Sequence, residues 1–319
     1  MFDFSLPSNA LQLLKPLDIA IPFFIIFMLI ELTYGWKTRR IRYEGKDTLT
    51  SLTMSIGTTI AGALTAGIVL TAAYWVWENF RIFENLGSSI PIFILAFVLE
   101  DFTYYWIHRS GHRIRWLWAA HVIHHSSQHY NLSTALRQTW TDVFTPKFLF
   151  FWPLFLLGIE PAIVFFCAGL NLIYQFWFHT EAIDKCPRWF EALFNTPSHH
   201  RVHHAKNPQY LDANYAGVFI IWDKMFGTFV PEDKNEPCNY GLVHDLDTFN
   251  PLRVATHEWV GIVKDIWSAK GLKNKILFLV GPPGWTPDGS RMTSDMLRAS
   301  WQKRQETAAK TATTSAPAE

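Results

Sequence analysis

Eight of the chain's 13 histidines stand in three groups whose spacing puts their imidazoles on shared helix faces. These are His108 and His112; His121, His124 and His125; and His200, His203 and His204. Residues three or four apart on a helix lie on one side of it. Imidazole is the commonest biological metal ligand. One zinc takes about four ligands, so eight histidines are too many for one ion and about right for two. Histidines that merely cap helices or line a wet surface have no reason to recur at this spacing. Ligand type does not choose the metal, because imidazole suits iron, zinc, copper and nickel alike.

Something must carry these faces to one place, and composition says what. The chain has 319 residues and a formal net charge of +1, so no overall field points to nucleic acid or to acidic partners. Aromatics make up 16%, with 15 Trp and 26 Phe. Mean hydropathy is only +0.06 because the apolar residues are gathered in blocks. Aromatic excess beside long apolar runs is the pattern of a membrane protein with Trp and Tyr at its interfaces. Cys167, Cys186 and Cys238 form no CxxC pattern and argue neither for disulfides nor for thiolate metal sites. The opening MFDFSLPSNALQLLK lacks a basic region and a cleavage site, and is read as no cleaved signal peptide.

The blocks set a topology. Residues 17–36 have the length of a spanning helix. Lys37, Arg39, Arg40, Arg42 and Lys46 follow and mark the cytoplasmic side. Residues 52–77 span back, rich in Gly57, Gly62 and Gly67 and in threonine, as closely packed membrane helices are. Residues 90–107 return and deliver His108, with Arg109, Arg113 and Arg115 behind it. Residues 143–179 read as an apolar hairpin broken at Gly158 to Pro161, its first limb short and carrying Pro146 and Pro153, its second ending at His179. The expectation is an all-α, multi-pass membrane protein with about four transmembrane helices and a cytosolic histidine-rich helical cap. Residues 1–16 are a lead-in, 17–250 the membrane domain with the histidine clusters, 251–305 an amphipathic cytosolic segment and 306–319 a disordered tail. Within the cap, Asn214 to Phe229 and the stretches near 255–268 and 274–281 read as helices. A bacterial inner membrane is favoured over the endoplasmic reticulum.

A nitrogen-ligated redox pair at that boundary has a plain use. Lipid tails and dioxygen reach it from the bilayer, electrons and protons from the cytosol, and the metals carry the oxidation chemistry. HxxxH, HxxHH and HxxHH in this order, after apolar segments, resemble the fatty acid hydroxylase/sterol desaturase superfamily of membrane di-iron oxidases. DFTYYWIHR, WAAHVIHHSSQHYNLSTALRQ, FNTPSHHRVHH and NYAGVFIIWDKMFGTF resemble its alkylglycerol monooxygenase branch and bacterial relatives, over about residues 90–250. The resemblance implies two iron ions, O2 as co-substrate and a lipid substrate. For this branch it implies ether cleavage through hydroxylation beside the ether oxygen. It also implies an external electron donor, tetrahydrobiopterin or a redox protein. It assigns His108, His112, His121, His124, His125, His200, His203 and His204 as ligands, with His179 a ninth. Two features depart from the branch. Arg113 follows His112 where the animal enzymes carry an acid, and their longer membrane C-terminus has no counterpart here.

Other residues are weighed individually. His199, four residues before His203, is a ligand or a donor just outside the ligands. His129 faces the site or the surface, and His244 and His257 stand alone. Asp101 lies two turns before His108 on the same face, where it could accept the free N–H of a ligating histidine. Glu100 points elsewhere. Asn131, Arg137, Asn214 and Asp223 are candidates for the shell around the ligands. The rival classes are a sterol or acyl hydroxylase or desaturase, a zinc-dependent membrane hydrolase, which would want a carboxylate base near the metals, and a non-catalytic metal- or lipid-binding protein.

Overall fold

The structure, a computed structural model, describes residues 16–84 and 86–314. Nearly all of the expected lead-in therefore lies outside the described residues. The architecture is all-α, with no strand among the described residues beyond two isolated bridges. Three helices are long and apolar enough to cross a membrane: α1 (Pro16–Thr38), α2 (Gly45–Phe80) and α3 (Ile90–Arg113). Helix α1 is apolar all round, and Phe23, Ile26 and Ile30 stay more than half exposed, as suits a lipid-facing surface. Its one buried acid, Glu31, accepts from the Leu132 backbone N–H and from the Tyr43 and Thr180 hydroxyls, which fastens the helix to the cap.

Helix α2 begins where the Glu44 side chain accepts the Asp47 N–H at 2.6 Å, seven residues before the expected start. At about 1.5 Å per residue its 36 residues outrun a bilayer core of about 30 Å. The extra turns bury Asp47, Thr50 and Ser51 under the cap. Of the α2 glycines, only Gly57 makes a close approach, since a Cβ there would meet Trp140 at 3.1 Å. Gly62 and Gly67 face open space, so the small-residue packing read from the sequence does not extend to them.

Helix α3 runs unbroken from the apolar span through His108 and His112. Ile114, in extended conformation, turns the chain into α4 (Arg115–His125). A short capped turn, α5 (Leu132–Ala135), follows. The apolar hairpin is made of short pieces: 3₁₀ turns at Asp142–Phe144 and Pro146–Phe151, then α6 (Trp152–Leu156) and α7 (Pro161–Phe176). Gly158 turns the corner at φ +98°, where a Cβ would lie 2.1 Å from the Phe83 carbonyl oxygen. The first limb, with two prolines, is too short to cross, and α7 ends three residues before His179. Ala73, Val76, Ala96, Phe155, Ile163 and Val164 close the core between α2, α3 and the hairpin.

The cap holds α8 (Arg188–Leu193), α9 (Pro197–His204), α10 (Ile221–Met225), α11 (Pro251–Ser268), α12 (Leu272–Val280) and α13 (Ser294–Thr314). Helices α11 and α12 match the expected stretches. Asn214 to Phe229 does not: only Ile221–Met225 is helical. Asn214 sits at φ +55°, and Gly217 threads so close to α3 that a Cβ would lie 2.8 Å from an Asp101 carboxylate oxygen. Helix α13 continues to Thr314, so the tail expected to be disordered from 306 is helical that far.

Candidate metal centre

Nine histidines converge in two groups. His108, His112, His121, His125 and His203 form one; His124, His179, His200 and His204 form the other. Within each group the candidate ligand nitrogens lie within 4.8 Å of one another. Helix α4 feeds both, because His121 and His125 share a face while His124 stands 100° round from His125. Helix α9 does the same with His203 against His200 and His204.

The first group forms a chain of Nε2···Nε2 contacts. His108 to His121 is 2.9 Å, His121 to His125 is 3.1 Å, and His125 to His203 is 3.1 Å. In the second group His124 to His179 is 3.2 Å, His179 to His200 is 3.0 Å, and His200 to His204 is 3.0 Å. Two nitrogens each about 2.1 Å from one ion, at right or tetrahedral angles, sit about 3.0–3.4 Å apart.

The hydrogen count makes the case for a cation. His108 Nδ1 donates to the Tyr215 carbonyl at 2.7 Å and His203 Nδ1 to the Ala213 carbonyl at 2.9 Å. Their Nε2 atoms therefore carry lone pairs. Both ends of the four-nitrogen chain are acceptors, and the two middle rings cannot supply a proton to all three contacts. His179 donates from Nδ1 to the Gln175 carbonyl at 2.8 Å and His124 to the Arg137 carbonyl at 3.4 Å, so two more Nε2 lone pairs face each other. His112 Nε2 is buried with no hydrogen-bond partner. These contacts are repulsive as hydrogen bonds and favourable around a metal ion. Burial holds the rings neutral, and so ready to ligate: His124 is pushed down to about 4, and His121, His125, His179, His200, His203 and His204 lie well below the usual range.

A cavity of about 280 Å³ opens onto the groups. Leu17, Ile21 and Phe24 of α1 and Leu172 and Phe176 of α7 give it an apolar wall, with Thr58, Thr59 and Lys147 also in the lining. Its inner end is His108 and His121 of one group and His124 and His179 of the other.

A fatty acid hydroxylase family model matches residues 93–228, the stretch that holds all nine histidines. The chain carries a fatty acid hydroxylase domain. It is 42% identical over 275 residues to alkylglycerol monooxygenase from Homo sapiens, covering 86% of this chain and 60% of the relative. It is 41% identical over 280 residues to alkylglycerol monooxygenase from Danio rerio, covering 87% and 61%. Ornithine lipid hydroxylase OlsE from Rhizobium tropici is 29% identical over 149 residues, covering 47% of this chain and 45% of the relative. The chain thus spans about three fifths of the alkylglycerol monooxygenases it matches. No solved structure matches it.

Around the hydroxylase domain's histidines, the remaining candidates take different places. His199 belongs to neither group; it is buried with its ring against Phe229. His129 lies 3.8 Å from the Asp47 carboxylate, His257 bonds within its own helix, and His244 joins no group. Asp101 touches no histidine. It accepts from the Val218 and Phe219 N–H groups at 2.7 and 3.0 Å, from Trp222 Nε1 at 2.8 Å and from Asn171 at 2.9 Å. Seven residues is a rise of about 10.5 Å, too far for its carboxylate to reach the His108 ring. Glu100 shares Asn171. Asp223 accepts from the Tyr215 and Ala216 N–H groups, both at 2.8 Å. The two acids thus clamp the loop whose carbonyls orient His108 and His203. Asn131 caps α5, and Asn214 ties His199 to Val230. Arg137 pairs with Asp47 at 3.0 Å while its carbonyl backs His124. One residue escaped the sequence reading. The Asp212 carboxylate lies 3.5 Å from His112 Nδ1. The only signal for it in the sequence is an acid within the turn-forming run NPQYLDAN.

Proposed function

We propose that the protein is a membrane lipid monooxygenase whose two histidine groups hold one iron each, and that its substrate is an ether lipid of the alkylglycerol kind. The observation that carries this is the cavity: its apolar wall belongs to helices that meet lipid, and its inner end is two histidines from each group. His108, His112, His121, His125 and His203 would hold one ion, and His124, His179, His200 and His204 the other. The bound pair would supply dioxygen activation against an unreactive C–H bond.

The protein's own part is placement. The Tyr215, Ala213, Gln175 and Arg137 carbonyls fix the tautomers and the ring planes. The apolar wall binds a chain and keeps water away from its reacting carbon. We place the histidine groups at the cytosolic face, where tetrahydrobiopterin or a redox protein can deliver electrons. No carboxylate lines the cavity among the described residues. Asp101 and Asp223 are spent on backbone N–H groups. The general base that a zinc hydrolase would want is missing from the place it would act.

The deciding experiment is metal content with O2 uptake, on protein purified anaerobically with added Fe(II). The expected result is two irons per chain and O2 uptake that needs both an alkylglycerol and a reductant. Two tightly held zincs, with no O2 uptake under any reductant, would overturn the reading. Uptake with sterols or acyl lipids but not alkylglycerols would move the substrate, not the chemistry.

A further inference from the structure

Four consecutive residues back three of the five histidines in the first group. The Asp212 carboxylate faces His112 Nδ1 at 3.5 Å, the Ala213 carbonyl takes His203 Nδ1, and the Tyr215 carbonyl takes His108 Nδ1. The second group has nothing comparable, since its backing carbonyls come from Gln175 and Arg137, far apart in the chain. Resting on the two-metal reading above, we propose that residues 212–215 act as one positioning template for the five-histidine group. In that template Asp212 is the positioning residue for His112, and helix α13 is the latch that holds it in place.

The backbone is bent for the purpose. Asp212 and Asn214 both sit at φ +55°, a conformation that residues with a Cβ adopt at a cost. With alternate residues turned this way, the Ala213 and Tyr215 carbonyls both reach the histidines. The cost is met by fixed partners: Asn214 Oδ1 accepts the Val230 N–H at 2.8 Å, and Asp223 and Asp101 hold the N–H groups downstream. Strain held by surrounding bonds is what a site that must not relax requires.

His112 is the ring that most needs the help. It has no carbonyl behind it, and its Nε2 is buried without a partner among the other imidazoles. An acid behind a ligating imidazole sets its tautomer and strengthens it as a ligand. Asp212 is itself held, by Arg113 Nη1 at 3.1 Å. The same guanidinium grips Asp295 at the start of α13, and Arg298 of α13 donates to the Leu211 carbonyl. The C-terminal helix therefore reaches Asp212 through Arg113 and holds the Leu211 carbonyl just before the template.

The test loads iron-57 into wild type, Asp212→Asn and Asp295→Ala. It reads iron per chain, iron release to a chelator, the Mössbauer signature of each site, and melting as the control for fold. Asn keeps the size of Asp and loses the charge. The expected result for Asp212→Asn is release of one iron about 10- to 100-fold faster, with a shifted signature for that site alone. Asp295→Ala, a surface change, should move the same site in the same direction by a smaller factor. An Asp212→Asn protein with release and signatures like wild type would overturn the proposal. So would one that melts like wild type and sheds both irons together. Wild type that cannot hold two ions would bring down the metal centre itself, a result distinct from either.

Discussion

The two histidine groups stand side by side, share helices α4 and α9, and are supported by different means. The five-histidine group is backed by polar acceptors on the 212–215 loop. In the four-histidine group the Gln175 and Arg137 carbonyls back His179 and His124, and aromatic rings stand beside the other two. Phe178 lies 4.2 Å from the His200 ring, Tyr130 lies 5.2 Å from His204, and His200 Nδ1 is buried with no partner. Acceptors fix a ring's tautomer and raise its donor strength, whereas aromatic walls fix its position and exclude water. With one nitrogen fewer, the four-histidine group would also leave more of a bound ion's sphere free. On the two-metal reading, the five-histidine group would hold its ion the more tightly of the two.

The largest effects would come from removing a ligand. His124→Ala should cut iron from two per chain to one and lower activity by more than about 100-fold, with the five-histidine signature kept. Metal analysis beside O2 uptake checks it. If both irons leave, the groups are one site and the comparison fails.

Next is Asp101→Asn. The amide turns a donor toward the Val218, Phe219 and Trp222 donors that the carboxylate now satisfies. Buried donors left unpaired cost about 1–3 kcal/mol each. The melting temperature should fall, and the five-histidine iron should leave first because its loop is the one released. Iron retention followed along a thermal ramp would show the order.

Acid should separate the groups more gently. A free histidine titrates at about 6.5, while burial holds His124 down to about 4. Below pH 6.5 the unfolded chain takes up a proton that the folded chain refuses, so stability falls with pH, and for His124 the loss is complete near 4. Protons compete with metal over the same range. Iron release between pH 7.5 and 5 should speed up, the four-histidine iron leading; equal release from both would count against the difference in hold. The smallest effect belongs to His199→Phe. Its ring packs on Phe229 outside both groups, so iron content should stay at two. A lost iron would return His199 to the ligands.

The histidines themselves were legible, because helical spacing is a property of side-chain type and position, and His108 through His204 need only helices to converge. His179 was reachable as a lone imidazole at the end of an apolar run. The shell around them was not. Its acceptors are main-chain oxygens of Ala213, Tyr215, Gln175 and Arg137, and a carbonyl leaves no mark in a sequence. Asp101 was found on the right face with the wrong partner, because a shared face says nothing about the axial distance along it. The run from Asn214 had the apolar content of a helix, but Asn214 is held left-handed by Val230, and the close passage at Gly217 is set by α3, more than 100 residues earlier.

That separation orders the protein's assembly. His108 waits for an oxygen 107 residues downstream, and Asp101 for an N–H 117 residues downstream. During synthesis the three long helices are complete before either partner exists. The half-built molecule therefore presents loosely held imidazoles at the membrane surface, open to whichever divalent cation arrives. If the two groups hold iron, correct loading would follow only after the chain has passed residue 223, whose carboxylate fixes the loop behind the histidines.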